Sequence, residues 1–596
     1  MSNGWIEYSV IGVYLVLLIA IGAVVKRFNK DDSDYFRNGC KGTWWLVGAS
    51  AFMVQFSAWT FTGAAGAAYE AGWSVMIIFM ANAAGYLVAG VIFAPWFRQL
   101  RVVTVPEAIR ARFGPATQQL YAWIFVVLGL AYASLWLFGL SIFCSAVFGY
   151  KVEHVVIVIG VIVLIYSTVG GSWAVMATDF LQTLILIPIT ILMAYLCLRE
   201  LGGVGGLFSQ IDSKGLTDDY AVINKEGRFT GKNTYTWIWA SAIFLAQIVK
   251  MNTVMASQRY YAVKTGLDAR KAALLAGLLM VMGSVIWFIP PMTGRLLFEA
   301  DVMGVLGMAE DKRKEASYAV ASMNLLPVGM TGLMVVAMLS ATMSSMDSGL
   351  NKNAAMLVRD IIPALARLFG VKMDHAKPRL RMAQIASLGF GLSIIGLTLY
   401  FVAQDGKGVF DLMLDVGAML ALPMAIPMLL ALLIRRAPAW SAIASITLGF
   451  TVSAMGFYSE ALFGTTWAFA TVVFANSAAG AVGFLLTIPF WPTASPAYQG
   501  QVDEFFEKMH RPIDFKAEVG EGNDLSQLKI MGSFAIVIGG FICCLIVLPN
   551  PLEGRLGILF VGGFVGVIGG LLYWAGSRAP QPKPEAMGIE TAAEPS

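Results

Sequence analysis

Hydrophobic residues follow one another in long, nearly unbroken stretches along this chain, with polar residues gathered between them. Residues 10–25, 73–97, 180–198 and 530–548 are examples. A helix of about 20 apolar residues, rising 1.5 Å per residue, crosses the hydrocarbon layer of a membrane. The pattern therefore predicts an all-α protein that crosses a membrane many times.

Clusters of charged and turn-forming residues divide the chain into about fifteen such helices. The predicted helices are residues 5–25, 46–69, 73–97, 119–148, 152–171, 175–198, 235–257, 271–297, 327–358, 382–403, 411–434, 441–461, 466–490, 531–548 and 556–576. Most of the 41 Lys and Arg residues fall in the odd-numbered connections. Since positive charge collects on the cytoplasmic side, the N-terminus is expected outside and the C-terminus in the cytoplasm of a multi-pass cell-membrane protein.

Composition narrows the function classes. Of 596 residues, 58% are hydrophobic and 13% are charged, whereas soluble domains carry about 25% charged residues. A net charge of +4 is too small to indicate a nucleic-acid partner. The three histidines are not clustered and no phosphate-binding glycine loop is present. We therefore expect a protein that is not an enzyme and needs no cofactor.

Polar residues inside the apolar segments indicate where chemistry occurs, because each is costly in a membrane unless it is paired or solvated. In the ninth helix Ala341, Ser344, Ser345 and Ser348 share one face, and Asp347 lies beside them. Hydroxyl and carbonyl oxygens suit a small alkali cation. Small residues and serines also pack helices together, so helix packing is the alternative.

Two further polar groups lie in other predicted helices. Gln55, Ser57 and Thr60 interrupt the second helix, which suggests either a discontinuous helix that exposes carbonyls or a small-residue packing face. Asp179 begins the sixth helix, where it is either an ion ligand or a helix-capping charge.

Lys250 lies within the seventh helix, with Gln247 one turn before it. Its ammonium group must reach the membrane surface, pair with a carboxylate, or bind an anionic group of a substrate. The last interpretation is the one we favour.

Three of these segments resemble the solute:sodium symporter family, which includes proline, pantothenate and sugar cotransporters. The similarity lies in residues 170–182, in the Ser344-Ser345-x-Asp347-Ser348-x-x-Asn351 stretch, and in Gln258-Arg259, and its order holds over roughly residues 5–435. The resemblance implies the leucine-transporter fold, a five-plus-five inverted repeat in which helices two to six and seven to eleven form the two halves. It also implies Na⁺ as the coupling ion.

The resemblance assigns roles by position. Sodium would bind the carbonyls of Met53, Phe56 and Ala341 and the hydroxyls of Ser344 and Ser345. Some members hold a second sodium, which here would use Asp179, Ser345, Asp347 and Ser348. The solute would bind in mid-membrane. Its expected contacts are the polar side chains of Gln55, Ser57, Thr60, Gln247 and Lys250.

The substrate positions depart from the family's known members. Trp59 and Thr60 replace the Glu-Gln pair of the sugar transporters, and Gln55 replaces the aspartate of the proline transporters. Since Lys250 suits an anion, we expect symport of sodium with a carboxylate-bearing solute, such as an amino acid, a monocarboxylate or a sugar acid. The alternatives are a sodium/neutral sugar symporter, a proton-coupled symporter that uses Asp179 or Asp347, and a sensory membrane module.

The predicted organisation has four parts. Residues 1–30 form a peripheral first helix, 43–434 the ten-helix transport core, 441–576 four additional helices with a cytoplasmic loop at 491–530, and 577–596 a disordered tail. The expected partners are sodium, a small polar solute and the lipid bilayer, with no obligate protein partner.

Overall fold

The computed structural model describes residues 4–25, 40–102, 104–167, 172–230, 232–370, 379–404, 408–520 and 524–578, apart from some side chains inside helices. In these residues the chain is helical, and the sole β pairing is an isolated bridge between Gly42 and Val263. Nine of the described helices are long and apolar enough to cross a membrane, or ten if the pair Trp237–Met251 and Val254–Ala262, bent by 52°, is one span. The multi-pass helical class is thus confirmed, while the count of fifteen and the orientation stay predictions.

In its described residues the first half of the chain forms sixteen α-helices. They are α1 Gly4–Val25, α2 Trp44–Val54, α3 Ala58–Phe61, α4 Gly63–Ala71, α5 Met76–Val88, α6 Ala94–Gln99, α7 Val105–Phe113, α8 Pro115–Phe148, α9 Val152–Ser167, α10 Ser172–Glu200, α11 Gly203–Ser213, α12 Trp237–Met251, α13 Gly266–Ile286, α14 Ile289–Leu297, α15 Glu299–Met303 and α16 Ser317–Leu325. The 3₁₀ segments Gly72–Val75, Val254–Ala262 and Glu310–Ala316 lie between them.

The second half continues in the same style. Its helices are α17 Met330–Met356, α18 Ile362–Leu368, α19 Arg379–Val402, α20 Val409–Val416, α21 Leu422–Leu433, α22 Ser441–Phe457, α23 Ser459–Phe463, α24 Phe469–Leu485, α25 Pro496–His510, α26 Phe515–Glu518, α27 Asp524–Cys544 and α28 Leu552–Ser577. Three π-helical turns join neighbouring helices, at Ala89–Phe93, Leu357–Ile361 and Gly417–Ala421.

Two groups of helices form the body of the protein. Helix α13 packs on α2 and α5, and α5 packs on α12. In the other group, α8 packs on α9, α17 and α19. Helix α10 touches both α2 and α17, so the broken segment that α2 begins lies where the groups meet. The tail beyond Arg578 and the connection 26–39 lie outside the described residues.

The predicted orientation gives the bundle an outer end and an inner end. The outer end holds the end of α4 and the connection from α14 to α17. The inner end holds α7, the segment Val254–Ala262 and the helix α25. At the inner end, Arg101 forms an ion pair with Glu518 at 2.8 Å, which fastens the stretch after α25 to the chain that follows α6.

Candidate functional site

The second predicted apolar helix is interrupted after Val54, and the candidate site is built around this break. Helix α2 ends at Val54, and α3 begins at Ala58. Ser57 starts α3 because its Oγ accepts a hydrogen bond from the N–H of Trp59 at 3.3 Å, as N-cap residues do. The carbonyl of Phe56 accepts no backbone hydrogen bond from the described residues. A free carbonyl oxygen therefore stands at the break, the kind of group that coordinates a cation in transporters.

Helix α17 crosses this break. The N–H of Ala58 donates a hydrogen bond to Thr342 Oγ1 at 3.2 Å. Ser345, one turn further along α17, is 5% exposed, and its hydroxyl has no hydrogen-bond partner among the described residues. A buried hydroxyl without a partner is costly, and a bound ion would satisfy it. The geometry therefore suits a cation between the break and α17.

The predicted sodium ligands can be followed only in part. Met53 is buried in the last turn of α2 and Phe56 lies in the break. The side chains of Ala341, Ser344, Asp347 and Ser348 lie outside the described residues, although the backbone of α17 that carries them is described. The structure brings Met53 and Phe56 to the helix that carries Ser345.

Asp179 is fully buried near the start of α10. Ser50 on α2 donates a hydrogen bond to its Oδ2 at 2.5 Å, and Arg259 Nη2 lies 3.4 Å from the same oxygen. The Asp179 carboxylate thus joins α2 to the 3₁₀ segment Val254–Ala262, and a sodium ion at this carboxylate would compete with Arg259.

Lys250 lies in the last turn of α12, directly before the 52° bend. Its ammonium group makes no hydrogen bond or ion pair with the described residues. A Cβ atom placed on Gly417 would lie 3.1 Å from Lys250 Nζ and 3.7 Å from the hydroxyl of Tyr132. The side chains of Lys250 and Tyr132 therefore meet at the π-helical turn that begins with Gly417.

The other predicted solute residues occupy different places around this point. Gln55 lines a cavity of about 60 Å³ that Met251 and Arg259 also line, on the inner side of the break. Thr60 is fully buried and its hydroxyl has no partner among the described residues. Ser57 acts as the cap of α3. Gln247 is half-buried on α12, one turn before Lys250.

Two aromatic rings cover the outer side of the break. The ring of Trp59 stacks on that of Phe410, with centroids 5.9 Å apart and planes 5° from parallel, and also on Phe79 at 6.0 Å. Gly63 permits this approach, because a Cβ atom there would lie 2.7 Å from Trp59 Nε1 and 2.9 Å from the nitrogen of Phe410. Beyond the rings, at the outer end, a cavity of about 680 Å³ is lined by Glu70, Arg295 and other charged residues.

Several residues of the site escape a reading of the sequence alone. Ser50, Tyr132, Thr342 and Gly417 carry no distinctive pattern, since small and hydroxyl residues are common in membrane helices. Arg259 belongs to the Gln258-Arg259 pair that resembles the family, yet nothing in its position along the chain indicates that it contacts Asp179. Such partners are separated by dozens to hundreds of residues and become neighbours only in the folded protein.

Two known proteins that resemble this chain are sodium-coupled transporters. Mouse (Mus musculus) sodium/glucose cotransporter 1 is 25% identical over 509 residues, which cover 77% of this chain and 72% of the relative. The sodium/sialic acid symporter NanT of Aliivibrio fischeri is 23% identical over 454 residues, covering 75% of this chain and 86% of the relative. Both relatives are transporters and not enzymes.

The fold is shared with a solved structure, a substrate-bound, outward-open Na⁺-coupled sialic acid symporter. It superposes with a TM-score of 0.67 at 19% identity, covering 81% of this chain and 98% of that one. The sequence pattern of the sodium:solute symporter family matches residues 35–449. The chain therefore belongs to the sodium:solute symporter family.

Proposed function

We propose that this protein couples the entry of sodium to the transport of a small carboxylate-bearing solute by alternating access. The observation that carries the proposal is the ammonium group of Lys250, which lies beside Tyr132 and Gly417 and has no hydrogen-bond or ion-pair partner among the described residues. An unpaired cation within a membrane span is costly. An anionic solute would supply the missing charge, and a carboxylate bound to an ammonium forms a short, strong hydrogen bond.

The relatives are consistent with either an acidic or a neutral solute. One is named for sialic acid, which bears a carboxylate, and another for glucose, which does not. The bulky Trp59 over the break and the cation at Lys250 favour the acid. The candidate solutes are amino acids, monocarboxylates and sugar acids.

The proposed cycle uses the geometry of the broken segment. Sodium binds between the carbonyls of Met53 and Phe56 and the oxygens of α17, and a second ion uses Asp179 with Ser345, Asp347 and Ser348. The solute binds at Gln55, Ser57, Thr60, Gln247 and Lys250. The inward movement of each sodium ion releases about 2.3 kcal/mol of free energy per 100 mV of membrane potential. This free energy drives the solute against its gradient.

We place the transport machinery in residues 43–434, as a five-plus-five inverted repeat of helices. The first helix, within residues 1–30, and the helices of 441–576 would then be accessory. The extent of the family match, residues 35–449, supports this division because it ends soon after α21.

The test is uptake into proteoliposomes that contain the purified protein. A panel of carboxylic acids is offered with sodium or with choline outside, and each acid is paired with its neutral amide. Lys250→Gln should raise the KM for a transported acid at least about tenfold, equivalent to ~1.4 kcal/mol, and change that for the amide little. Lys225→Gln is the matched control, because the side chain of Lys225 is 89% exposed.

Each other outcome points to a named alternative. Equal effects of Lys250→Gln on acid and amide would contradict the carboxylate proposal. Transport of neutral sugars alone would identify a sodium/neutral sugar symporter. Uptake that survives in choline and follows an imposed pH gradient would show proton coupling, and no uptake of any solute would leave the sensory module.

A further inference from the structure

Glu315 is a buried carboxylate that the transport mechanism above does not use. It lies in the 3₁₀ segment Glu310–Ala316 at the outer end and is 1% exposed. Its Oε1 accepts a hydrogen bond from the N–H of Phe410 at 3.4 Å. Its Oε2 is buried and has no hydrogen-bond partner among the described residues. An unsatisfied carboxylate oxygen in such a place is expensive when it is charged.

The side chain of Glu315 lies between α4 and the start of α20, two helices that cover the solute site. A Cβ atom on Gly66 of α4 would lie 2.8 Å from Glu315 Cγ, and one on Gly408 would clash with Glu315 Oε1. Phe410, whose N–H donates to Glu315 Oε1, places its ring on Trp59. Glu315 therefore contacts α4 on one side and, on the other, the chain that carries Phe410 of the aromatic cover.

The charges around Glu315 are few and mostly paired. Lys314 and Asp411 act on it electrostatically with opposite signs. Lys314 is paired with Glu70 of α4 at 2.7 Å, and Asp411 of α20 accepts a hydrogen bond from Asn233. The remaining charged or titratable groups of the packed elements are Glu310, Asp311, Lys312 and Arg313 on its own segment, Tyr69 on α4, Glu299 and Asp301 on α15, Tyr318 on α16, Tyr121, Tyr132 and Cys144 on α8, and Asp415 on α20.

Burial determines how readily Glu315 holds a proton. It raises the pKa of Glu315 from an ordinary 4.5 to about 7, with desolvation as the largest cause. When the cover opens and water reaches the side chain, the pKa returns toward its ordinary value. The covered state then binds the proton more tightly than the open state, so falling pH favours the covered state between about pH 7 and pH 4.5.

We propose that Glu315 is a proton-binding site of the outer gate, and that it takes up a proton when Trp59 and Phe410 close over the broken segment. The ionised carboxylate favours the open gate, in which water solvates it. The neutral carboxyl can be buried with Oε2 unpartnered. External protons thus oppose the state that admits sodium, without competing for the sodium site. The inference rests on the proposed alternating-access cycle.

The test measures access to the broken segment with sodium present and no solute. Thr60→Cys places a thiol under the cover, and a membrane-impermeant thiol reagent is added from outside between pH 5.5 and 8.5. Reaction at the five native cysteines is subtracted with a chain that lacks the substitution. The rate is then divided by the rate of the same reporter in an Glu315→Gln chain, which cancels the pH dependence of thiol chemistry.

The ratio should rise severalfold between pH 5.5 and pH 8, across the interval in which the covered carboxyl ionises. Glu310→Gln, on the same segment but exposed, is the control and should keep the parent's behaviour. A ratio that is constant with pH would overturn the proposal. Because no solute is present, this outcome is independent of the Lys250 experiment, and either proposal can fail alone.

A second pair of variants covers the case in which Glu315→Gln does not fold. Asp411→Asn removes a negative neighbour, so Glu315 ionises at lower pH and the reporter should react faster than in the parent near pH 6.5. Lys314→Gln removes a positive neighbour and should make it react more slowly there. Shifts in the same direction, or none, would also overturn the proposal.

Discussion

The backbone N–H of Ala58 donates a hydrogen bond to Thr342 Oγ1 at 3.2 Å, across the meeting point of the two helix groups. This bond fixes the broken segment on α17 at the place where a cation would bind. The two residues are 284 positions apart in the chain. The distance between the free carbonyl of Phe56 and the hydroxyl face of α17 therefore depends on it.

Thr342→Val is expected to weaken sodium binding. The substitution keeps the shape of the side chain but leaves the buried N–H of Ala58 without an acceptor, at a cost of about 1–3 kcal/mol. The sodium concentration for half-maximal uptake should rise about tenfold. Thr342→Ser retains the hydroxyl and should behave as the parent, and an unchanged sodium dependence in Thr342→Val would contradict the assigned role.

Ser345→Ala tests the sodium ligands directly. The hydroxyl of Ser345 has no hydrogen-bond partner in the described part of the chain, so its removal should cost little stability and reduce sodium affinity by more than about tenfold. Combined with Ser344→Ala, it should abolish sodium-stimulated uptake. Ser393→Ala is the control, since that exposed hydroxyl bonds only to its own helix at Gly389. Sodium dependence that persists in the double variant would reject the site.

The pair formed by Asp179 and Arg259 should show strong coupling in stability. Asp179→Asn or Arg259→Gln alone removes one member of a buried ion pair, at a cost of about 3 kcal/mol. The double variant removes both charges, so its thermal unfolding temperature in detergent should exceed that of either single variant. Additive losses in the double variant would mean that the two side chains do not interact.

Gly417→Ala should reduce affinity for the solute and leave sodium binding intact. The added methyl group would lie 3.1 Å from Lys250 Nζ and occupy the space between that ammonium and Tyr132. We expect the KM for the solute to rise severalfold with an unchanged maximal rate. Gly396→Ala on α19 is the control, because a Cβ atom there meets nothing within 4 Å. A KM equal to the parent's would show that the solute does not bind at Lys250.

Local patterns explain what the sequence alone could predict. The apolar stretches predict most helices to within a few residues, and the polar Gln55 and Ser57 predict the region of the break. The polar run Glu310–Ala316 forms a short 3₁₀ helix. The loop at 491–530 holds a longer helix, Pro496–His510, than its weakly apolar sequence indicates.

Long-range neighbours explain what could not be predicted. Glu315 sits in a charged run that is typical of a solvated loop, yet the approach of Gly66 and Gly408 removes it from water. The partner of Asp179 and the open space beside Lys250 likewise depend on how distant helices cross. Such crossings are set by packing over the whole chain and leave no periodic signal in any one segment.

The π-helical turn at Gly417–Ala421 determines how the residues before it are oriented relative to α21. A π turn holds one residue more than an α turn, so it amounts to a single-residue insertion within a helix. Removing one residue there would rotate Val409–Val416 by about 100° relative to α21. Phe410 would swing away from Trp59 while Lys250 lost its glycine neighbour. A relative that lacks this extra residue would therefore need a different outer cover and a different solute pocket, even where every other residue matched.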